Sequence, residues 1–208
     1  MTPQTVLDLV IKETAVCNKC ALHHSRKNAV AGEGPPDAQI MFIGEGPGFH
    51  ENQQGRPFVG AAGKFLEELL AGIGFQRADV YITNVVKCRP PSNRDPKPEE
   101  IDACNDYLER QIQAINPKVI VTLGRFSMSK FIPFAKISDV HGQAMQVKGR
   151  LIVPMYHPAA ALHQRSLRPV IEQDFSRLPG LIAKAGDIPE IAVEARKREP
   201  TPKQLSLF

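Results

Sequence analysis

The sequence predicts an α/β fold in which helices cover both faces of a parallel sheet. Four short runs rich in Val and Ile have the length of buried strands, and longer amphipathic segments separate them. Strands that alternate with helices form parallel sheets, whose ligands bind beyond the carboxyl ends of the strands. The four predicted strands are Gln39–Ile43, Val80–Val86, Val119–Leu123 and Leu151–Met155.

Four segments predict helices. The first 14 residues, MTPQTVLDLVIKET, mix acidic with apolar residues and lack a basic start, which is typical of an amphipathic helix and not of a signal peptide. Ala61–Ile73 places its large apolar residues on one helical face. Pro98–Ile115 has acids near its start and is followed by Asn-Pro. Leu167–Ala185 is the fourth predicted helix.

Length and composition predict one domain followed by a tail. The chain has 208 residues, enough for a substantial core over residues 1–185. From residue 186 the composition becomes charged and Pro-punctuated, which predicts a flexible tail over 186–208. No apolar run approaches the ~20 residues that cross a bilayer, so we expect a cytoplasmic protein without a membrane span. The net charge of +4 is compatible with a polyanionic partner and does not require one.

Four cysteines indicate a metal site. Cys17 and Cys20 form a C-x-x-C pair, and Cys88 and Cys104 follow at wider spacing. Cytosolic reductants disfavour disulfides, and four thiolates bind either zinc or a [4Fe–4S] cluster. The scattered second pair favours the cluster, although spacing alone does not decide. Buried core cysteines are the alternative.

Several polar or aromatic residues lie near the ends of predicted strands. The segment GEGPG follows the first strand but lacks the Lys of a P-loop, and its Glu45 could orient a water molecule or stabilise positive charge. Phe58 is either a core residue or a platform on which a base stacks. Asn84 either caps a strand or reads the edge of a pyrimidine. His157, directly before a proline, is either structural or functional.

Together these motifs resemble those of a known family. GEGPG…E…GRPFVG, TN-V-V-K-CRPP-x-NR, M-Y-HPA and the spacing C-x2-C…C-x15-C resemble family-4 uracil-DNA glycosylases over about residues 10 to 183. The resemblance implies a three-layer α/β/α sandwich with a central four-stranded parallel sheet. It also implies an enzyme that flips uracil out of single- or double-stranded DNA and hydrolyses its N-glycosidic bond, which starts base excision repair. We expect a monomer.

The resemblance also implies roles for individual residues. Phe58 would stack on uracil, Asn84 would hydrogen-bond its Watson–Crick edge, and the main chain near Gly46 would add contacts. Glu51 would occupy the space that the methyl group of thymine needs.

The remaining implied roles concern catalysis and the cofactor. His157 would donate to a uracil carbonyl oxygen, and Glu45 would position water or balance the sugar cation. A [4Fe–4S] cluster with a structural or DNA-positioning role would be held by Cys17, Cys20, Cys88 and Cys104.

The chain departs from the family at two points. Phe49-His50 replaces the usual acidic pair after GEGPG, a change expected to affect DNA affinity or uracil specificity. The segment between Cys88 and Cys104 lacks the Lys-Arg-Arg-Ile-His insertion of relatives that trap DNA covalently, so we expect turnover without an adduct. Basic residues in two loops either contact the DNA backbone or are solvated surface charges: Arg89, Arg94, Lys97, Arg165 and Arg168. Leu162 is expected either to wedge into the duplex or to be buried.

The last five residues, QLSLF, resemble the bacterial sliding-clamp-binding motif, and a chance apolar end is the alternative. The predicted contacts are Gln204, Leu205, Leu207 and Phe208. A clamp partner would imply a bacterial, nucleoid-associated protein. Two other functions remain open at this point: a non-catalytic Fe–S nucleic-acid-binding protein and a zinc-stabilised metabolic enzyme.

Overall fold

The computed structural model describes residues 1–188 and 190, which fold around one mixed sheet. Within this part of the chain the sheet has five strands in the order β2-β1-β3-β5-β4. The first four in this order are parallel, and β4 pairs antiparallel with β5. The strands are β1 (Ile40–Gly44), β2 (Tyr81–Asn84), β3 (Val119–Leu123), β4 (Met145–Val147) and β5 (Arg150–Met155).

The predicted α/β class and the four parallel strands are confirmed, but the count of four strands is wrong. The fifth strand, β4, is a three-residue edge strand that a two-residue turn joins to β5. Both turn residues, Lys148 (φ 49°) and Gly149 (φ 72°), have left-handed backbone, as a tight hairpin requires. The sequence did not predict β4 because three residues are too few to show the alternating pattern of a strand. Lys148 at the first turn position is also not a residue that signals a hairpin.

The predicted long helices are confirmed, with shifts of one or two residues at some ends. Four shorter helices, α2 and α5–α7, were not predicted because each has only four to six residues. The helices are α1 (Pro3–Val16), α2 (Phe49–Gln54), α3 (Ala61–Gly72), α4 (Pro98–Ile115), α5 (Arg125–Ser129), α6 (Ile137–Val140), α7 (Pro158–His163) and α8 (Arg168–Ala183).

Two apolar layers enclose the sheet. On one face, Phe42 and Val121 pack in a cluster with residues of α3 and α8 such as Leu66 and Phe175. On the other face, Met41 and Ile120 pack with residues of α1, α4 and α5. Alternate strand residues point to opposite faces, so each strand contributes to both layers. The result is the expected α/β/α sandwich.

A third, smaller apolar cluster lies beside the sheet and contains the cysteines. Val10 of α1, Val86 and Tyr107 of α4 pack around Cys88 and Cys104. This cluster connects the end of β2 with α1 and α4. No helix in the described residues is both long and apolar enough to cross a membrane. The predicted tail motif lies outside the described residues.

Candidate functional site

A pocket of about 430 Å³ opens beyond the carboxyl ends of β1, β2 and β5. Its position is the one that parallel sheets use for ligands. All six residues that the sequence predicted for a binding or catalytic site line this one pocket: Glu45, Gly46, Glu51, Phe58, Asn84 and His157. Residues more than one hundred positions apart in the chain are therefore brought together.

Asn84 is the last residue of β2 and is 1% exposed. Its Oδ1 has no hydrogen-bond partner among the described residues. A buried amide oxygen without a partner costs about 1–3 kcal/mol, so such groups are rare unless a ligand satisfies them. Gly44, which pairs with Asn84 across the strands, makes room for it: a Cβ at Gly44 would overlap Oδ1 and lie 2.7 Å from Cζ of Phe58.

Phe58 has left-handed backbone (φ 50°), an unfavourable conformation for a residue with a bulky side chain. Nη1 of Arg77 donates to the Phe58 carbonyl over 2.8 Å, and Gly63 packs directly against the same peptide group. Phe58 is 5% exposed, and its ring lies nearly parallel to the ring of His157, with centroids 5.4 Å apart and planes 22° apart. Surrounding contacts therefore hold a strained residue in one orientation.

Glu51 lies on α2, and its buried carboxylate holds the chain that follows Phe58. Its Oε1 accepts hydrogen bonds from the backbone N–H groups of Val59 and Gly60, both at 2.8 Å. Gly60 is the N-cap of α3, where N–H groups lack helical partners. The sequence did not predict this structural role, because nothing in it pairs residue 51 with residues 59 and 60.

His157 is the N-cap of α7, and its Nδ1 accepts a hydrogen bond from the N–H of Ala159 over 3.1 Å. An accepting Nδ1 places the proton of the neutral ring on Nε2. Burial lowers the pKa of His157 to about 4, although the negative charge of Glu51 opposes the shift. The imidazole is therefore neutral near pH 7 and offers Nε2–H as a donor.

Glu45 follows β1, and its Oε1 accepts a hydrogen bond from the N–H of Phe126 over 3.1 Å. Phe126 lies in the first turn of α5, where a carboxylate is stabilised by free N–H groups. Burial raises the pKa of Glu45, and the neighbouring charge of Asp95 adds to this effect. Gly124 (φ 99°) packs directly against the carboxylate, and any side chain there would displace it.

The four cysteines line a second cavity and form no disulfides with one another. Burial raises the pKa of Cys104 to about 11. Two donors contact the sulfurs: Nη1 of Arg26 lies 3.6 Å from Sγ of Cys88, and the N–H of Lys87 lies 3.3 Å from Sγ of Cys104. Within the described residues no three Cys, His, Asp or Glu side chains are gathered for a single metal ion. Four sulfurs around a common cavity, with hydrogen-bond donors directed at two of them, suit an anionic group that is larger than a single metal ion.

Comparison with known proteins identifies the family. Residues 31–176 match the family model described as the uracil DNA glycosylase superfamily. The type-4 uracil-DNA glycosylase of Archaeoglobus fulgidus is 50% identical over 188 residues, which cover 86% of this chain and 94% of the relative. The chain belongs to the type-4 branch of the uracil-DNA glycosylase superfamily. The type-4 relatives from Sulfurisphaera tokodaii (49% over 184 residues, 83% of each chain) and Thermotoga maritima (45% over 190 residues, 89% and 99%) agree.

In this type-4 family member, one wall of the pocket is a segment that the sequence did not assign to it. Pro90, Asn93, Arg94, Asp95 and Pro96 line the pocket between β2 and α4. The motif CRPP-x-NR, which contains the first three of them, was the available signal.

Most of the basic residues that were predicted to contact DNA already have partners. Arg94 forms two hydrogen bonds with Glu100, at 2.6 and 2.8 Å. Arg168 pairs with Glu68 and Glu172, each at 2.8 Å. Leu162, the predicted wedge, is 48% exposed on α7, so the buried alternative is excluded.

Proposed function

We propose that this protein is a uracil-DNA glycosylase that hydrolyses the N-glycosidic bond of a uracil flipped out of DNA. The observation that carries the proposal is the unpartnered Oδ1 of Asn84, which lines the same pocket as Phe58 and His157. The N3–H of uracil is the donor that this oxygen lacks. The amide NH₂ of the same side chain matches the adjacent O4, and the Phe58 ring offers a stacking surface.

The same groups would select uracil against other pyrimidines. Cytosine presents an acceptor at N3 and a donor at its exocyclic amine, so both contacts to Asn84 would be reversed. We propose that Glu51 excludes thymine. Two backbone N–H groups hold its carboxylate, so that it would form a rigid wall against the methyl group. The main chain near Gly46, which lines the pocket, would add contacts to the base.

Cleavage separates charge between a sugar with oxocarbenium character and a departing uracil anion. We propose that the neutral Nε2–H of His157 donates to a uracil carbonyl oxygen where the negative charge develops. Removing such a donor typically lowers the rate by about 10²–10³. At the other end, the carboxylate of Glu45 would orient the attacking water or stabilise the positive sugar, and Asp95, which pairs with Arg125, also lines the pocket.

The four cysteines support a [4Fe–4S] cluster in this proposal. Cys17 follows α1, Cys20 lies three residues later, Cys88 follows β2, and Cys104 lies in α4. A cluster there would join these elements beside the DNA-facing edge of the sheet, and it would supply a structural link rather than chemistry to the cleavage step.

The DNA substrate, single- or double-stranded, would lie across the mouth of the pocket. Leu162 is exposed on α7, beside pocket residues of the same helix, and we propose that it fills the space left by the flipped base. On α2, next to the pocket residue Gly48, Phe49 is 51% exposed and the guanidinium of Arg89 lies 5.3 Å from its ring centroid. All pocket residues belong to one chain, so a monomer would suffice, and we expect turnover without a protein–DNA adduct.

The tail proposal is supported by sequence alone. We propose that Gln204, Leu205, Leu207 and Phe208, which the structure does not describe, bind a bacterial sliding clamp and keep the domain of residues 1–185 near the nucleoid in the cytoplasm. Deleting the last five residues should abolish capture by the clamp. Undiminished capture would contradict the proposal.

Release of free uracil from uracil-containing oligonucleotides is the direct test of function. We expect wild-type protein to release uracil, Asn84→Ala and His157→Ala to be about 10²–10³-fold slower, and the matched control Gln113→Ala, on the exposed side of α4, to be unaffected. A non-catalytic DNA-binding protein would bind the oligonucleotide without releasing uracil. Absorbance near ~400 nm would distinguish an iron–sulfur cluster from zinc.

A further inference from the structure

Lys87 is a buried lysine that the proposed mechanism does not use. Lys87 is 1% exposed, and it lies between the end of β2 and α4. Its Nζ donates three hydrogen bonds: to Oγ1 of Thr83 at 2.6 Å, to the carbonyl oxygen of Asn84 at 2.8 Å and to Oε1 of Gln111 at 2.7 Å. One of the three acceptors is thus the main chain of the residue that we propose to read uracil.

The hydrogen-bond pattern matches the ammonium form, which offsets the burial that lowers the pKa of Lys87 to about 7. The hydroxyl of Thr83 donates to the carbonyl of Ala31 over 2.8 Å, and the NH₂ of Gln111 donates to the same carbonyl and to the hydroxyl of Tyr81. The three groups therefore present only acceptors to Nζ, and three acceptors match the three N–H groups of an ammonium ion. No carboxylate among residues 1–188 forms an ion pair with it.

A buried charge needs a compensating charge nearby. For Lys87 a cluster held by the four cysteines would supply that charge: Cys88 is the next residue, and the backbone N–H of Lys87 donates to Sγ of Cys104. The side chain of Lys87 thus contacts the end of β2 at the pocket, and its main chain contacts the four-cysteine site. The ammonium holds the strand end at the pocket, and the peptide group contacts a proposed cluster ligand.

We propose that Lys87 is a positioning residue, which holds the uracil-facing end of β2 in place and couples it to the four-cysteine site. The inference rests on the function proposed above. The carbonyl group of Asn84, which Lys87 contacts, helps to set the direction of the Asn84 side chain. The Oδ1 atom of Asn84 has no hydrogen-bond partner among the described residues that would fix this direction. Without the ammonium, the Asn84 carbonyl would lose its link to α4, and the amide would be less well placed for uracil.

The test uses the cluster-loaded protein with Lys87→Met, which keeps the length of the side chain and removes its charge. A displacement of about 1 Å in a positioning group costs on the order of 10²-fold, so we expect kcat/KM for uracil release to fall about 10- to 100-fold. The matched control is Lys118→Met, an exposed lysine before β3, which should leave kcat/KM unchanged.

A double-mutant cycle distinguishes positioning from a general loss of stability. If Lys87 acts through Asn84, Lys87→Met should change the rate little in the Asn84→Ala background. Losses that multiply would overturn the proposal. Where Lys87→Met does not fold, Gln111→Met removes one of the three acceptors and leaves the ammonium in place, and the same cycle with Asn84→Ala decides.

The reduction potential of the cluster is a second readout that does not depend on uracil release. Removing a nearby positive charge disfavours the reduced cluster, so Lys87→Met should shift the potential to a more negative value and Lys118→Met should not. An unchanged potential would overturn the coupling. If the wild-type protein releases no uracil, the proposed function fails, whereas the potential still tests the link between Lys87 and the cysteines.

Discussion

Replacing Gly44 by alanine should damage the pocket while leaving the fold intact. Gly44 ends β1, and a Cβ there would lie 2.7 Å from Cζ of Phe58 and would overlap Oδ1 of Asn84. Carbon atoms in contact lie about 3.5–4 Å apart, so the ring has to move by about 1 Å. A misplacement of that size lowers a rate by on the order of 10²-fold, which corresponds to about 2.7 kcal/mol in activation free energy.

The backbone of Gly44 does not itself require glycine, because its φ is outside the left-handed range. The cost to folding is therefore that of an overpacked core, about 1–3 kcal/mol. Single-turnover release of uracil and thermal unfolding should be measured on the same preparations. The matched control is Gly72→Ala in α3, where a Cβ would meet no described atom within 4 Å and alanine should slightly stabilise the helix.

A Gly44→Ala variant that folded and released uracil within a few-fold of the wild-type rate would refute the predicted clash with Phe58 and Asn84. A loss of activity that only followed a loss of folded protein would also contradict it. The expected result is a folded variant whose rate of release is reduced well beyond any change in the fraction folded.

Three further predictions follow from the site. Asn84→Ala should lower uracil release by about 10²–10³ without lowering the melting temperature, because Oδ1 has no partner to lose; a clear destabilisation would contradict this. Glu51→Ala should destabilise the fold by about 2–4 kcal/mol in urea unfolding because two N–H groups lose their acceptor, whereas Glu51→Gln should retain most of the stability. The rate of uracil release should fall on the acid side at a pH above the ordinary pKa of glutamate, because burial raises the pKa of Glu45 and its carboxylate is neutralised first as the pH drops. The His157 ring, whose pKa is about 4, remains neutral at that pH. If Glu45→Gln left the acid side of the profile unchanged, the assignment to Glu45 would be refuted.

Local sequence patterns were sufficient for most of the secondary structure. The apolar run at Val119–Leu123 and the capped segment Pro98–Ile115 were predicted with the observed bounds. Their signals are periodicity, propensity and end residues, all of which lie within the element itself. The predicted strand Val80–Val86 was too long at both ends, because the apolar pattern continues through Val85 and Val86 although pairing stops at Asn84.

The sequence by itself determined the α/β class, the family resemblance and six of the residues that line the pocket, because motifs at strand ends must converge at one edge of a parallel sheet. Only the tertiary structure showed the edge strand β4, the hydrogen bonds that Glu51 accepts from the chain after Phe58, and the buried amino group of Lys87 with its three acceptors. The physical reason is that these features depend on which groups distant in the chain come within hydrogen-bonding distance. Local periodicity encodes where a segment turns and which face it buries, but it does not encode the partner that a carboxylate or an ammonium ion meets there.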